Sequence, residues 1–326
     1  MAEIAVLGAG AWGTALANLA ARQGAHVLLW ARDADHIAEM NRARMNARRL
    51  PDIALAQSID PIHETGPLAR AELVLAVVPT QAMRAVLTAV APALRAGVPL
   101  VICAKGIEVG SGRFLSDVAG DVLPGTPIGV LSGPSFAQDV ARGLPTAVTL
   151  ASHDSGLVAS AGQALGAPWF RLYSTDDVRG VEIGGAAKNV LAIACGIAAG
   201  RALGASASAA LIARGFAELS RFGRAYGARA ETLMGLSGLG DLVLTCNSPQ
   251  SRNFAFGLAL GRGEAPGATL VEGAYTAGIL LKLAKARGVE MPIAIAVDAV
   301  LRGAIGIEAA IDGLLSRPSG RENPEG

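Results

Sequence analysis

Of the 28 basic residues in this chain of 326, only four are lysine, at positions 105, 188, 282 and 285. Two of the four stand in apolar, glycine-flanked surroundings, ICAKGIE and GGAAKNV. Arginine keeps its proton inside a protein, whereas a desolvated lysine can give one up. Lys105 and Lys188 are therefore candidates for proton chemistry, against the plainer alternative of surface cations. A second dense segment is GLSGLGDLVLTCNSPQSRN, residues 235–253. Asp241 falls between glycine turns and an apolar run, where a carboxylate near a lysine would hold the ammonium in place. Ser251, Arg252 and Asn253 stand where a helix opens. A guanidinium fork beside free N–H groups suits a phosphate or a cofactor's oxygens, and the alternative is an ordinary helix cap. In LSGPSFAQDVARGLPTA (131–147), Gly133 and Ser135 flank a proline at a strand-to-helix junction. The four histidines, His26, His36, His63 and His153, lie in the first half and none sits in a motif. Lysine is then the next candidate for a proton donor, because burial lowers its pKa toward working pH.

Such groups need a scaffold, and the first residues indicate one. EIAVLGAGAWGTALANLAARQG places Gly8, Gly10 and Gly13 after a short apolar strand and before an apolar helix. Gly8 permits a tight turn, Gly10 lets the backbone approach a pyrophosphate, and Gly13 lets helix and strand pack closely. The helix N-terminus offers free N–H groups to the phosphates. This layout predicts a dinucleotide site and ordered structure from the start of the chain. At the end of the second strand stand Trp30, Ala31, Arg32 and Asp33. Arg32 favours a 2′-phosphate and hence NADP(H), with NAD(H) as the alternative; Asp33 either contacts a ribose or caps the next helix.

Strand-like runs at 4–7, 26–31, 72–78, 99–104, 127–132, 146–151 and 169–174 alternate with helix-like ones, one opening after Thr80 and another near Pro134. The alternation predicts an α/β, Rossmann-type domain with a parallel, doubly wound sheet over residues 1–178. Apolar, Ala-rich runs at about 179–200, 206–227, 251–262, 272–288 and 292–304 predict an all-α domain over 179–316, and the polar, Pro/Gly-containing residues 317–326 a disordered tail. Hydrophobic content of 52% and charged content of 17% fit a soluble protein with a large core. A net charge of +1 gives no basis for capture of nucleic acid or of an anionic membrane. The apolar stretches 189–200 and 202–213 are too short to span a bilayer. Cys103, Cys195 and Cys246 lie far apart without metal-ligand spacing, so buried, reduced thiols in a cytoplasmic protein and no bound metal are expected. The second half is compatible with a homodimer face or with a domain core, and its periodicity does not separate the two.

Taken together, GAGAWGTALA (8–17), WAR (30–32), NRARMNARRLP (41–51), VVPT (77–80), AKGIE (104–108), LSGPSFA (131–137), GVEIGGAAKNVLAI (180–193), LIARGFAEL (211–219), GLSGLGDLVLTC (235–246), SRN (251–253) and VEG (271–273) resemble the bacterial NAD(P)-dependent glycerol-3-phosphate dehydrogenases. The resemblance implies reversible hydride transfer between NAD(P)H and dihydroxyacetone phosphate, giving sn-glycerol 3-phosphate for phospholipid synthesis. It implies Lys188 as the catalytic acid/base, oriented by Asp241. It implies substrate contacts at Lys105, Gly133, Ser135, Asp241, Ser251, Arg252 and Asn253, with Asn189 and Thr245 as polar neighbours. Its cofactor contacts fall on Gly8, Gly10, Gly13, Trp12, Arg32, Lys105, Ala137, Arg252, Leu270 and Glu272. Two further cofactor positions depart from the family pattern: Ala11 stands where serine is common, and Arg49 where an aromatic is common. Asp139 replaces a usual glutamate, and the stretch between Arg252 and Glu272 is shortened. Two rival readings remain at this level: a related dehydrogenase acting on a 3-hydroxy acid or sugar acid, and a nucleotide-sensing protein without turnover.

Overall fold

The computed structural model describes residues 2–265 and 271–318. Eight strands form one sheet in the order β3-β2-β1-β4-β5-β6-β7-β8. They are β1 (Glu3–Leu7), β2 (His26–Trp30), β3 (Ile59–Ile62), β4 (Leu73–Ala76), β5 (Leu100–Ile102), β6 (Ile128–Ser132), β7 (Thr146–Ser152) and β8 (Phe170–Thr175). The helices among them are α1 (Ala11–Arg22), α2 (Ala34–Ala43), α3 (Met83–Val90), α4 (Leu115–Val122), α5 (Ala137–Arg142) and α6 (Ser155–Leu165). Strand order reverses between β1 and β4, the point at which such sheets open a ligand crevice beyond their C-terminal ends. Apolar side chains cover both faces. Val6, Leu29 and Leu75 pack into one cluster, and Ala5, Leu28 and Val74 into another on the far side. Full burial accounts for strands that are apolar throughout, without alternation.

The all-parallel expectation needs one correction, because β7 runs antiparallel to β6, with Ser132 opposite Thr149. The chain between them carries only the six-residue α5, which ends at Gly143 in the left-handed region (φ 76°). At about 1.5 Å per residue that helix spans about 9 Å, short of the roughly 17 Å needed to carry the chain back along a five-residue strand, so the chain re-enters the sheet from the near end. The edge strand β3 also went unpredicted. Its sequence IDPI contains Pro61, which is tolerated because an edge strand has one side without a partner. Two helix starts shift as well. Thr80 is not a cap but lies buried in a short 3₁₀ turn, and α3 opens at Met83. The helix expected near Pro134 opens at Ala137.

From residue 178 onward the described residues are helical: α7 (Val178–Gly200), α8 (Ala205–Ala225), α9 (Ala230–Met234), α10 (Asp241–Cys246), α11 (Arg252–Gly261), α12 (Glu272–Ala286), α13 (Pro292–Leu301) and α14 (Ile307–Leu315). The stretch read as glycine turns is a π-helical turn, Leu236–Gly240, leading straight into α10. Helix α7 is the axle of this half. By length and composition it could cross a membrane, but 89% of its apolar window is buried inside the molecule, as in a core helix. Asp177 caps it by accepting from Gly180 N at 2.8 Å. Helix α11 lies beside it in parallel register, with Asn253, Gly257 and Gly261 opposite Asn189, Ile193 and Ile197. A Cβ on Gly257 would sit 2.1 Å from Ile193 O, and one on Gly196 2.1 Å from Phe254 O, so only bare backbone fits at this crossing.

Candidate active site

Two adjacent glycines on α7 set the geometry. A Cβ on Gly184 would stand 2.5 Å from Ser237 O, and one on Gly185 3.2 Å from Lys105 Cγ. Their absence lets the π-helical turn and the stem of Lys105 lie against the helix. One turn after Gly184, on the same face, comes Lys188. The first residue after the π-helical turn is Asp241, so the two side chains meet.

Lys188 Nζ donates to Asp241 Oδ1 at 2.6 Å and to Thr245 Oγ1 at 2.7 Å. Lys105 Nζ reaches the other carboxylate oxygen, Oδ2, at 2.8 Å, and also Gly133 O at 3.1 Å. Asp241 thus bridges two ammoniums while only 1% exposed. Neither lysine is an ordinary surface cation: Lys188 is 6% exposed and the Lys105 side chain 18%. Burial pulls the Lys188 ammonium down to about 8, against the opposing attraction of Asp241 and with a further push from Lys105. Burial also works against ionisation of Asp241, but the two lysines outweigh it and hold the carboxyl below its usual range.

The remaining sequence candidates fall around this cluster. Ser135 Oγ shares the Gly133 carbonyl with Lys105. Asn189 Nδ2 donates to Lys105 O at 3.3 Å, and Asn253 Nδ2 donates to Asn189 Oδ1 at 3.0 Å. Gly273 N completes the chain by donating to Asn253 Oδ1. Ser251 caps α11 by accepting from Phe254 N, which leaves exposed Arg252 at the helix opening, near enough to Glu272 to favour its ionised form. Glu272 accepts from Thr80 N at 3.2 Å, tying α12 to the loop after β4. Among the described residues Ser132 Oγ is buried without a hydrogen-bond partner, and the buried Glu272 Oε2 and Thr80 Oγ1 lie near one another without a well-formed bond. Burial raises the Glu272 carboxyl above its usual range. Leu270 lies outside the described residues.

The glycine loop fits a dinucleotide. Gly8 adopts φ 117°, and a Cβ there would press to 2.8 Å from Val77 O across the crevice. A Cβ on Gly13 would collide with Gly8 O at 1.9 Å, whereas beyond Gly10 the space is open for 4 Å. Gly10 caps α1 with no side-chain partner, so the first-turn N–H groups, including those of Ala11 and Trp12, face that opening unclaimed. Trp12 and Ala137 pack against the edge of the sheet core. Arg32 and Arg49 are exposed, and their side chains make no hydrogen bond or ion pair among the described residues. Asp33 does cap α2, accepting from His36 N at 3.0 Å, and its second oxygen faces Arg48 at 3.3 Å.

One supporting residue was not singled out in the sequence. Asn46 is fully buried, and its Nδ2 donates to Ala9 O at 3.0 Å and to Thr14 Oγ1 at 2.7 Å. Thr14 Oγ1 in turn donates to Gly10 O. His36 Nε2 stands 2.9 Å from Asn46 Oδ1 and must carry the proton, since both Asn46 amide hydrogens are engaged. The pair underpins the loop from below. Replacing Asn46 by alanine is expected to cost about 1–3 kcal/mol by stripping these buried groups of partners. Weaker cofactor binding should accompany the loss, read by thermal denaturation and a NADPH fluorescence titration.

Family models of NAD-dependent glycerol-3-phosphate dehydrogenase match the chain twice, the N-terminal one over residues 3–158 and the C-terminal one over 177–312. A glycerol-3-phosphate dehydrogenase [NAD(P)+] of Beijerinckia indica is 62% identical over 326 residues, covering 98% of this chain and 97% of the relative. One of Azorhizobium caulinodans is 61% identical and covers 98% of both chains. The crystal structure of glycerol-3-phosphate dehydrogenase from Coxiella burnetii superposes with a TM-score of 0.93 at 40% identity, covering 97% of this chain and 99% of that one. With its sheet half and its helical half each matched, the chain belongs to the NAD-dependent glycerol-3-phosphate dehydrogenase family of oxidoreductases.

Proposed function

We propose that this enzyme reduces dihydroxyacetone phosphate reversibly to sn-glycerol 3-phosphate with NAD(P)H, supplying glycerophospholipid synthesis, and that Lys188 is its proton donor. The observation that carries the assignment is a buried ammonium with two fixed acceptors, Asp241 and Thr245, at the crevice end of the sheet. Bound reduced nicotinamide supplies the hydride for the carbonyl carbon. Lys188 gives its proton to the carbonyl oxygen as negative charge develops there. Asp241 keeps the ammonium aimed, and Lys105 adds positive potential beside it. Arg252 and Asn253, with Ser251, Asn189, Thr245, Gly133 and Ser135 around them, hold the phosphorylated substrate. No metal is needed in this scheme, because two lysines supply the acid and the charge.

We assign residues 1–178 to dinucleotide binding and 179–316 to the catalytic helical domain; of the tail read at 317–326, Arg317 and Pro318 lie against the helical domain and 319–326 fall outside the described residues. The end of β8 at Thr175 and the opening of α7 at Val178 support that division. Three buried, free cysteines support a reducing, cytoplasmic setting. Exposed apolar side chains on the helical half, such as Tyr275 and Ile295, support a homodimer, which sedimentation tests.

Two outcomes follow. With Lys188 near 8, kcat/KM for carbonyl reduction should fall as pH rises through about 8, because the ammonium is the active form. The reverse oxidation, which needs the neutral amine, should rise through the same region. Stopped-flow rates in both directions check the sign. NADPH is the preferred cofactor in this reading, because Asp33 is spent on its cap and on Arg48 while Arg32 stands free. Arg32→Ala should raise KM for NADPH at least about ten-fold and leave NADH nearly unchanged. Equal effects on both cofactors would remove Arg32 from the 2′-phosphate site.

A further inference from the structure

The helical half contains a cavity of about 950 Å³ between α7, α8, α13 and α14 that the reaction does not use. Its size is in the range of sites for organic ligands. Ile197 forms part of its wall, nine residues beyond Lys188 and so about two and a half turns round α7. The cavity and the lysine cluster therefore lie on opposite faces of one helix. Its walls are aliphatic, with Leu211, Ile293, Val297, Ile311 and Leu314 among them, and no aromatic ring lines it among the described residues. Such walls suit a flexible saturated chain better than a flat ring, which would seek an aromatic or polar partner.

The polar lining is mostly cationic. Arg214, Arg221 and Arg317 share the lining with Glu290 and the buried Glu218. Glu218 is spent on the backbone, accepting from Ile293 N at 2.7 Å and Ala294 N at 3.3 Å where α13 opens. Arg221 donates to Glu290 O at 3.2 Å, and Arg317 meets the Glu290 carboxylate at 3.3 Å, which gathers two guanidiniums at one point of the rim. Their forks have further donors to offer a carboxylate.

We propose that this cavity binds a single-chain fatty carboxylate, taken from solution as a monomer, with its acyl chain between the four helices and its head on Arg221 and Arg317. The test is calorimetric titration of the full-length chain with sodium octanoate, decanoate and dodecanoate, all below their micelle concentrations. One saturable site per chain is expected, with affinity rising about four-fold per added methylene. The neutral dodecanol should bind at least ten-fold more weakly than dodecanoate. Ala210→Phe, which sets a ring across the open side of the cavity, should abolish binding while NADPH affinity holds. Arg221→Gln, an exposed change that folding tolerates, should weaken dodecanoate at least ten-fold and leave dodecanol unchanged. The proposal is overturned by the absence of saturable binding, by affinity independent of chain length, by equal binding of the neutral alcohol, or by binding only to lipid vesicles. It is equally overturned if Ala210→Phe or Arg221→Gln splits a dimer in sedimentation, which would give the groove to a second copy.

Discussion

Replacing Lys188 by methionine is expected to lower kcat for dihydroxyacetone phosphate reduction by at least about 10²–10³, the usual effect of losing a general acid or an oxyanion donor. Methionine keeps most of the length and apolar bulk of the stem, so the packing of α7 should survive. Asp241 retains Lys105 at 2.8 Å, so the carboxylate is not left as a bare buried charge. The glycine loop and Arg32 belong to other elements, and NADPH affinity should stay near normal. Single-turnover kinetics, a NADPH titration and a melting curve together separate loss of chemistry from loss of fold. Near-normal turnover in the variant would end the assignment of Lys188 as proton donor.

The second large effect is expected at Asp241. Asparagine has almost the same shape but leaves two ammoniums gathered on a neutral amide in a site that is 1% exposed. Removing one member of a buried ion cluster costs about 3–5 kcal/mol. The electrostatic consequence has a definite sign. Asp241 raises the Lys188 pKa, while burial and Lys105 lower it. Without the carboxylate the ammonium should titrate below 8, and the descending limb of the reduction profile should move to lower pH. A merely structural role would lower the melting temperature and leave that limb in place. The converse variant, with Lys105 made neutral, should move the limb upward.

The residues that meet in this site were largely legible in the sequence, for physical reasons. Lys105 and Lys188 stood out because the chain uses arginine almost everywhere else. Gly8, Gly10 and Gly13 carry a spacing that the backbone itself demands. What could not be read was set by distant parts of the chain. The reversal at β7 follows from the shortness of α5, whose limits shifted by three residues from the expected opening. The turn before Asp241 is rich in glycine, which argues against helix by local propensity, yet those glycines are what let it pack as one against Leu233 and α7. Asn46 is one polar residue among several in a polar run. Its partners lie 10, 32 and 37 residues away, so no local spacing marks it.

The side-by-side backbones of α7 and α11 bear on how the enzyme can move. Between Gly196 and Gly257 there is no side chain to change rotamer and no layer in which to slip, so the two helices travel as a single rigid bar. Lys188 and Asn189 ride on one member of that bar, and Arg252 and Asn253 on the other. Lys188 and the opening of α11 therefore keep a fixed gauge, whatever else flexes. A closure that swings the sheet half toward that gauge would turn on the Lys105–Asp241 and Thr80–Glu272 links, which span the crevice.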